Sequence, residues 1–489
     1  MNTLCKLIAI VAFLMMAPNG NCQVDEARKR FEDFKRQAHE TYDNFRDEAN
    51  KRYAEFKEES WKRFQVVPAV PKPKEKQVPP LTFPEEDRDK PIESDPIEID
   101  EIITPPKPEP QPNPVTPIPE QVDPEKNYVK FVYFGTACKA RFNNDVSLKL
   151  TDCSRDDLCE AWTKLSSTDY NNTIRDCLAL REKLQLSDWA YLNMLNTFSE
   201  QCLGKGTSAV FMTAYLYSQS GYKMRLGRKG SDLCLLFSSK HHCYYMNGYR
   251  VGNDIYYIFN HDFDSIEIYD LSFPGERSMS FYITKDQLFE YDPTPMRTLT
   301  SERHPETTVN LSVNKNRIDF FDKYPESYIN DDFMTRWAVF AQTPLDSNVK
   351  QELYPVLEGY ILGLNQVAAA NVLIDWVQNA FVYKYDEEVW GHDRPFFAEE
   401  SLYYPYCDCE DRAILFSRLV RDLLGLKTLL VFYPGHLATA VCFTVPVNGD
   451  YITLNGERYV VCDPTYFGVP VGVTMPDMDN QSAKVILLE

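Results

Sequence analysis

Hydrophobic and polar residues follow three distinct patterns along the 489-residue chain. Residues 7–17 form an unbroken apolar run behind Lys6, too short to span a bilayer, which predicts a signal peptide over residues 1–22. Residues 23–66 repeat an 11-residue unit with aromatic residues at its first and fourth positions, which predicts an amphipathic helix with a slight right-handed supercoil. From residue 127 onwards, strand-like and helical patterns alternate, which predicts an α+β body.

Proline separates the repeat from the body. Residues 67–126 hold 17 of the 32 prolines and no glycine, and they carry seven basic against fourteen acidic side chains. This composition predicts a stiff, self-repelling, extended linker rather than a packed domain. The expected organisation is therefore a signal peptide at 1–22, a repeat helix at 23–66, this linker, and two domains at 127–345 and 346–489.

The chain is acidic, with 72 Asp and Glu against 52 Lys and Arg and a net charge of −20. Such a chain repels phosphate backbones, so we expect no nucleic-acid binding. The repeat segment has as many acidic as basic side chains, which favours self-association or docking to the cell envelope over lipid binding. No segment after residue 22 reaches 18 consecutive apolar residues, so we expect no transmembrane span.

The predicted signal peptide indicates a secreted or periplasmic protein. The alternative is a lipoprotein acylated at Cys22, which Asn19 and Asn21 disfavour because they fit a lipid-attachment motif badly. Cleavage before Gln23 removes two of the 13 cysteines and leaves eleven. With an odd number, at least one thiol of the mature chain is free or pairs with another molecule.

The most informative stretch runs from Asp408 to Gly425. Asp408 is a typical helix N-cap, acidic residues fill the next turn, an apolar series follows, and Gly425 is a typical C-terminal stop. Cys409 therefore lies in the first helical turn, where backbone N–H groups and the helix dipole lower the pKa of a thiol. Glu410 and Asp411 oppose that effect, so a thiolate at Cys409 needs a positive partner.

Two residues downstream provide partners for a thiol nucleophile. His436 follows a Pro-Gly turn and opens a predicted strand, and Asp463 stands at the end of a later strand. A cysteine at a helix start, a histidine at a strand start and an acid at a strand end can meet at one end of a sheet. This combination predicts a nucleophile, a base and an orienting acid.

The three motifs resemble those of the transglutaminase-like superfamily, a papain-like group of thiol acyltransferases and peptidases. The matching strings are D-C-E-D at 408–411, G-H at 435–436 and D-P-T at 463–465, in the family's order. The resemblance covers residues 350–489 and implies a transglutaminase-like α+β core of a bacterial secreted type. Cys407 replaces the family's glycine before the D-C pair, so the backbone at that turn is expected to differ.

The resemblance implies roles for three residues: Cys409 as nucleophile, His436 as general base, and Asp463 as the residue that orients His436. The implied protein is an extracytoplasmic amide hydrolase or acyltransferase of peptidase, deamidase or transglutaminase type. It would act on a protein or peptide through a thioester, without a cofactor. The family also contains inactive members, so the alternative is a non-catalytic envelope scaffold or binding protein.

Other cysteine chemistry is less well supported. Cys407-x-Cys409 is a possible metal pair, but no second close Cys/His pair completes the usual zinc spacing, so we expect no metal. Cys442 and Cys462 fall on adjacent predicted strands. By the alternation of side chains along a strand, Cys442 lies on the same face as His436, whereas Cys462 lies on the face opposite to Asp463. This placement disfavours a disulfide between the two cysteines.

An acyl-transfer site also needs hydrogen-bond donors for the oxyanion that develops during attack. The backbone N–H of Cys409 is one natural donor. For the second we consider three upstream side chains, among which the sequence does not choose: Gln378, Trp390 and Tyr406.

An earlier part of the body repeats the pattern of the candidate core. The helical stretch ending at Gly221 parallels the one ending at Gly425 in its apolar spacing. In this alignment the nucleophile, base and acid positions fall on Lys205, Asp232 and Asn260, which cannot reproduce a thiol relay. The pattern predicts a duplicated core whose first copy is degenerate and serves as a scaffold or substrate platform.

Two alternatives to this duplication stay open at the level of sequence. One is chance similarity between two α/β segments. The other is a shifted register that brings His241 or His242 to the base position, although the nucleophile is still missing.

Overall fold

The computed structural model describes most of the chain from Trp61 onwards. The described residues are 33, 61–74, 78–114, 127–142, 148, 150, 153–166, 170–261, 263, 265–270 and 272–488. The predicted signal peptide and nearly all of the predicted repeat helix lie outside them. Among the helices of the described residues, none has the length and apolar character needed to cross a membrane.

Helices and strands are both abundant, which confirms the predicted α+β class. The described α-helices are α1 (Arg155–Ser166), α2 (Tyr170–Lys183), α3 (Asp188–Leu203), α4 (Thr207–Gln219), α5 (Lys315–Phe321), α6 (Arg336–Gln342), α7 (Ser347–Ile361), α8 (Gln366–Asn379), α9 (Asp386–Val389), α10 (Ala398–Tyr403) and α11 (Cys409–Leu419).

Most of the described strands belong to two large sheets. The strands are β1 (Trp61–Lys62), β2 (Gln65–Val67), β3 (Ile99–Ile103), β4 (Tyr128–Tyr133), β5 (Thr136–Arg141), β6 (Met224–Lys229), β7 (Asp232–Ser238), β8 (His241–Cys243), β9 (Gly248–Val251), β10 (Asp254–Phe259), β11 (Glu267–Tyr269), β12 (Arg297–Thr300), β13 (Thr308–Leu311), β14 (Ser327–Ile329), β15 (Val382–Tyr383), β16 (Tyr406–Cys407), β17 (Lys427–Tyr433), β18 (His436–Cys442), β19 (Tyr451–Leu454), β20 (Glu457–Cys462) and β21 (Ala483–Leu487).

Six of the seven strands in the first large sheet follow the strand order of the six-stranded second sheet. The first runs β1-β11-β6-β7-β10-β9-β2, and α4 packs on its β6–β7 hairpin. The second runs β3-β21-β17-β18-β20-β19, and α11 packs on its β17–β18 hairpin. In each sheet, a helix is followed by a central hairpin. A second hairpin pairs with one side of this central hairpin, and a final strand (β11 or β21) pairs with its other side. A short strand from the region before residue 127 then pairs with that final strand.

Local sequence explains where α11 begins and ends. Asp408 caps its N-terminus, and the backbone N–H of Asp408 donates to the carboxylate of Asp411 at 3.3 Å, which forms a reciprocal capping box. After Leu419 the chain makes a π-helical turn and stops at Gly425, whose φ of +64° favours glycine. Every residue of α11 is buried because β18, α6, α8 and α10 surround it.

Residues 61–67 form strands, so the helix predicted over 23–66 does not extend to residue 66. β1 pairs with β11 and β2 pairs with β9 at the two sides of the first sheet. Trp61 is buried and meets the ring of Tyr269 edge-on at 5.5 Å. A sheet edge offers unpaired N–H and C=O groups, and here pairing with it overrides the helical periodicity of this short segment.

Residues 78–114 of the proline-rich linker lie along the body instead of forming a free spacer. The backbone N–H of Phe83 donates to Phe467 at 2.8 Å, and that of Ile97 donates to Tyr451 at 2.8 Å. Both side chains are buried. Residues 99–103 contain no proline, so they can form β3 and pair in parallel with β21. The buried apolar residues between the prolines anchor the segment to the body.

Because β3 packs on the body, we expect substitutions at two neighbouring residues of β3 to differ in their effect on the free energy of unfolding. Ile103 is 4% exposed and Ile102 is 46% exposed. We expect Ile103→Ala to lower the free energy of unfolding by about 2–4 kcal/mol, because it removes buried methyl groups and leaves a cavity. Ile102→Ala, as matched control, should change it by less than about 0.5 kcal/mol. Urea unfolding followed by fluorescence measures both, and equal effects would contradict docking of β3 in the core.

Candidate active site

The structure brings the three sequence-predicted site residues to one end of the second sheet. Cys409 is the first residue of α11, His436 is the first residue of β18, and Asp463 directly follows β20. β18 pairs antiparallel with β20, which places the start of one strand beside the end of the other. Because α11 packs across β18, the helix start lies at this same end.

His436 and Asp463 form a buried hydrogen-bonded pair. The His436 Nε2 donates to the Asp463 Oδ2 at 2.8 Å, and the two residues are 2% and 1% exposed. The other oxygen of Asp463 accepts from the backbone N–H groups of Thr465 and Tyr466 at 2.9 and 3.2 Å. Burial alone would raise the pKa of Asp463, but His436 and these N–H groups outweigh it and hold that pKa below its usual value. A fixed Asp463 therefore orients the imidazole.

The second nitrogen of His436 is left for other chemistry. Its Nδ1 is buried and has no hydrogen-bond partner among the described residues. Since the Nε2 carries the proton that faces Asp463, the Nδ1 is the nitrogen able to accept a proton. This is the tautomer that a general base requires.

The environment of Cys409 departs from the sequence prediction of a lowered pKa. Cys409 is 9% exposed, and its thiol donates to the Glu410 Oε2 at 3.1 Å. Burial raises the pKa of this thiol well above its usual value, and the charges of Glu410 and Asp408 raise it further. The backbone N–H of Leu437 acts in the opposite direction but is outweighed. The acidic first turn thus overrides the helix dipole, and the thiol is neutral in this arrangement.

Cys409 and His436 face one cavity of about 530 Å³. Aromatic side chains form much of its wall, among them Trp337, Tyr383 and Phe432. The other lining residues are Pro71, Lys72, Pro73, Lys74, Tyr245, Arg336, Tyr385, Glu387, Gly391, His392, Asp393, Asp408, Glu410, Gly435 and Leu437. Charged side chains of both signs also line the cavity, so its aromatic walls are combined with many polar groups.

The N-terminal segment crosses this cavity. Residues 71–74 line it, and the buried Lys72 ammonium pairs with Glu326 at 2.5 Å and with Asp393 at 3.5 Å. The backbone N–H of Val78 then donates to Gly435, the neighbour of His436, at 3.2 Å. The linker therefore contacts the site at residues 71–74 and again at Val78.

Acidic side chains crowd the start of α11. Asp386, Asp408 and Asp411 are buried together, and the pKa of each is raised by burial and then by its acidic neighbours. For Asp386 these effects, with Glu410 as the main neighbour, raise the pKa to about 8. Of these three acids, Asp408 acts directly on Cys409, where it adds to the effects of burial and of Glu410.

The expected side-chain donors for an oxyanion do not face the cavity. The amide of Gln378 donates to the carbonyls of Asp463 and Val469 at 3.0 and 3.2 Å, so it fixes the Asp463 loop. Trp390 and Tyr406 are absent from the described lining of the cavity. Trp390 instead meets Phe396 and Tyr404 edge-on, and the Tyr406 ring lies beneath the Lys384 ammonium.

Sequence reasoning missed Trp337, which does line the cavity. Its indole Nε1 is buried without a hydrogen-bond partner among the described residues, and its ring stacks on Phe432 at 5.5 Å. Trp337 lies in α6, 72 residues before Cys409, so no local motif connects them. Packing of α6 against α11 brings Trp337 to the cavity wall.

The described cysteines form no disulfide. Cys442 pairs in register with Lys427 and Cys462 pairs with Thr439, so the two thiols do not stand opposite one another. Cys407 is buried in the short strand β16 and, within the described chain, belongs to no cluster of metal-ligating side chains.

No protein-family description, curated protein or solved structure matches this chain. The resemblance to the transglutaminase-like superfamily therefore rests on the three motifs and on the placement of their residues.

The raised pKa of Cys409 predicts a specific pH profile. We expect iodoacetamide to alkylate Cys409 faster as pH rises from 7 to 9, without a plateau, because the thiolate fraction grows toward the raised pKa. Glu410→Gln should speed alkylation about tenfold at fixed pH, the effect of lowering the pKa by about one unit. Glu387→Gln is the control, since Glu387 is exposed on the same cavity. Rates that level off below pH 7 in the wild type would contradict this environment.

The N-terminal segment predicts restricted access to Cys409. Lys72→Ala leaves Glu326 and Asp393 without their shared cation, so residues 71–74 should detach more readily. We expect alkylation of Cys409 to become about tenfold faster, which corresponds to a free energy of detaching residues 71–74 that is lower by about 1.4 kcal/mol. Lys74→Ala should leave the rate unchanged, because Lys74 is exposed at the same cavity. Mass-spectrometric rates that are equal for both variants would exclude a gating contact at Lys72.

Proposed function

We propose that the protein is a cysteine-dependent amide hydrolase or acyltransferase acting through Cys409, His436 and Asp463. One observation carries the proposal: the buried His436–Asp463 pair leaves the Nδ1 of His436 without a partner among the described residues, and His436 and Cys409 line the same cavity. A thiol, an available base and an acid that fixes the base are the requirements for nucleophilic catalysis by cysteine.

The first half of the proposed reaction forms a thioester. The Cys409 thiol turns from Glu410 toward His436, and its proton passes to the Nδ1 as the sulfur attacks an amide carbonyl carbon. Collapse of the tetrahedral intermediate breaks the C–N bond, and the same proton passes from the Nδ1 to the leaving amine. Because the thiol is neutral at rest, His436 acts as a general base and not as one half of a preformed ion pair.

The second half releases the acyl group. His436 takes a proton from water as the hydroxyl oxygen attacks the thioester carbonyl, and the C–S bond then breaks as His436 returns this proton to the sulfur of Cys409. An amine in place of water would give acyl transfer. We propose hydrolysis of a protein or peptide amide first, since water is abundant and no sequence feature identifies an amine site.

Two donors support the developing oxyanion in this mechanism. One is the backbone N–H of Cys409 at the start of α11, and the other is the unpartnered indole N–H of Trp337. A buried donor without a partner is costly, and an oxyanion in the cavity would satisfy it.

The first sheet supports the proposal that the core is duplicated and that its first copy is degenerate. Its strand order parallels that of the second sheet, and Asp232 and Asn260 stand at the start of β7 and directly after β10. Lys205 and Asn260 line one cavity of about 210 Å³. Leu235 pairs with Phe259 in the first sheet as Thr439 pairs with Cys462 in the second. Asp232 lies three residues before Leu235, as His436 lies three residues before Thr439, so Asp232 corresponds to the base.

The shifted register is not supported by the placement of its histidines. His241 and His242 lie in β8, which pairs with β14 outside the first sheet. Burial lowers the pKa of His241 to about 3, so this side chain stays neutral. We therefore propose that the first copy acts as a scaffold, in a protein exported by its predicted signal peptide.

Acetylation by p-nitrophenyl acetate tests the catalytic proposal. We expect wild-type protein to accumulate an acetyl group on Cys409, located by peptide mapping after an acid quench. His436→Ala should slow this acetylation by about 100-fold or more, since it removes the general base. Asp463→Asn should slow it as well, because it releases the imidazole from its tautomer.

Cys442 provides the internal control for this experiment. It is half-buried in β18 and lies away from the cavity, so it reports intrinsic thiol reactivity. Acetylation of Cys409 no faster than that of Cys442, and unaffected by His436→Ala, would reject the catalytic function in favour of the scaffold.

A further inference from the structure

A segment of the linker already occupies part of the cavity that Cys409 and His436 line. Residues 71–74 form one side of this cavity. Just before them, the Val70 carbonyl accepts a hydrogen bond from the backbone N–H of Tyr245 at 3.0 Å. A peptide held partly through its backbone therefore lies beside the candidate nucleophile, and its contacts show what kind of peptide the cavity accommodates.

Lys72 is the side chain that fixes this segment. Among residues 69–74 it alone is buried, and its side chain is 2% exposed. Its ammonium group pairs with Glu326 at 2.5 Å and with Asp393 at 3.5 Å, and it also donates to the backbone carbonyl of Asp393. We call the site that Glu326 and Asp393 form around this ammonium the lysine pocket.

The charge of the lysine pocket requires a cation. Arg336 is buried and pairs with Asp393 at 3.8 Å, which adds one positive charge. Without Lys72, the two carboxylates of the pocket would face this guanidinium alone. Burial raises the pKa of Glu326, and Lys72 is the main group that opposes this effect. A pocket that Lys72 has left would therefore favour another ammonium group.

The rest of the segment favours its exchange for another peptide. Val70 is 42% exposed, and Pro71 and Lys74 are exposed as well, so residues 69–74 bury little apolar surface. A segment with few buried apolar contacts detaches at a low cost in free energy. The cavity has a volume of about 530 Å³ although residues 71–74 form part of its wall. Space therefore remains there for the reacting part of a substrate.

Two features make Lys72 an effective resident of the pocket. Pro71 and Pro73 flank it, and their fixed φ reduces the entropy that the segment loses when it binds. The segment is also tethered to the body, which gives it an effective concentration on the order of millimolar. A peptide in solution must compete with this tethered lysine.

We propose that the lysine pocket is a substrate subsite for a lysine side chain, and that Lys72 occupies it as an internal mimic of the substrate. The proposal rests on the proposed function and names its substrate class, a peptide or protein whose lysine enters between Glu326 and Asp393. Displacement of Lys72 would then select the substrate and open the cavity in one step.

Equilibrium binding of labelled peptides to the full chain, followed by fluorescence anisotropy, tests the subsite. Two peptides carry the sequence of residues 69–74, one with norleucine in place of Lys74 and the other with norleucine in place of Lys72. We expect the Lys72→Ala protein to bind the peptide that keeps Lys72 at least about tenfold more tightly, because only this peptide places an ammonium in the pocket. The two peptides have equal charge, so general attraction to a chain of net charge −20 does not distinguish them.

Wild-type protein provides the second comparison. Its own Lys72 competes, so we expect it to bind the preferred peptide at least about tenfold more weakly than Lys72→Ala does. Lys427→Ala is the matched control and should bind as the wild type does. It also removes one lysine, but Lys427 is exposed and lies at the end of β17 opposite to His436. Lys72→Met retains most of the apolar stem and replaces Lys72→Ala if that variant does not fold.

Three results would overturn the proposal: equal affinity of the freed pocket for the two peptides, equal binding by the wild type and the Lys72 variant, or no saturable binding to the folded variant. The measurement involves no turnover, so Cys409→Ala should give the same affinities as its parent protein. Acetylation by p-nitrophenyl acetate, which has no basic side chain, reports on the catalytic residues instead. Failure of the subsite and failure of the proposed function are therefore distinguishable.

Discussion

The antiparallel pairing of β18 with β20 is the constraint on which the candidate site depends. It sets the start of one strand beside the end of the other, so His436 and Asp463 meet at 2.8 Å although 27 residues separate them. The same strand supports α11, whose first residue is Cys409. A one-residue slip in this register would turn His436 to the opposite face and separate the base from both partners.

Electrostatics at the helix start oppose the chemistry that the geometry allows. A helix N-terminus stabilises a thiolate, yet here the first turn carries Glu410 and Asp411 behind the N-cap Asp408. Burial strengthens their influence, and the thiol stays protonated. In the proposed mechanism the proton therefore leaves the thiol as the sulfur attacks, because His436 is already oriented by Asp463 and Cys409 is held neutral by burial and its acidic neighbours.

The proline-rich linker connects the parts of the molecule more closely than its composition indicates. It supplies β3 to the second sheet, buries Phe83 and Ile97, and places Lys72 in an ion pair beside the cavity. Access to Cys409 and the stability of the second sheet thus depend on residues that precede the body in sequence. Proline keeps this segment extended, and its apolar residues decide where it lies.

The sequence by itself determined the local features of the site. Capping and stop signals placed Cys409 at a helix start and Gly425 at its end, a Pro-Gly turn placed His436, and strand patterning placed Asp463, because each depends on neighbours within a few residues.

Only the tertiary structure decided the environment of those residues. Burial and contacts between distant segments determine four features: the neutral thiol of Cys409, the hydrogen bond from Gln378 to the Asp463 carbonyl, the position of Trp337 in the cavity wall, and the proximity of Asp386 to Asp408. Local patterns carry no record of such contacts, because desolvation and charge proximity arise only when the chain packs.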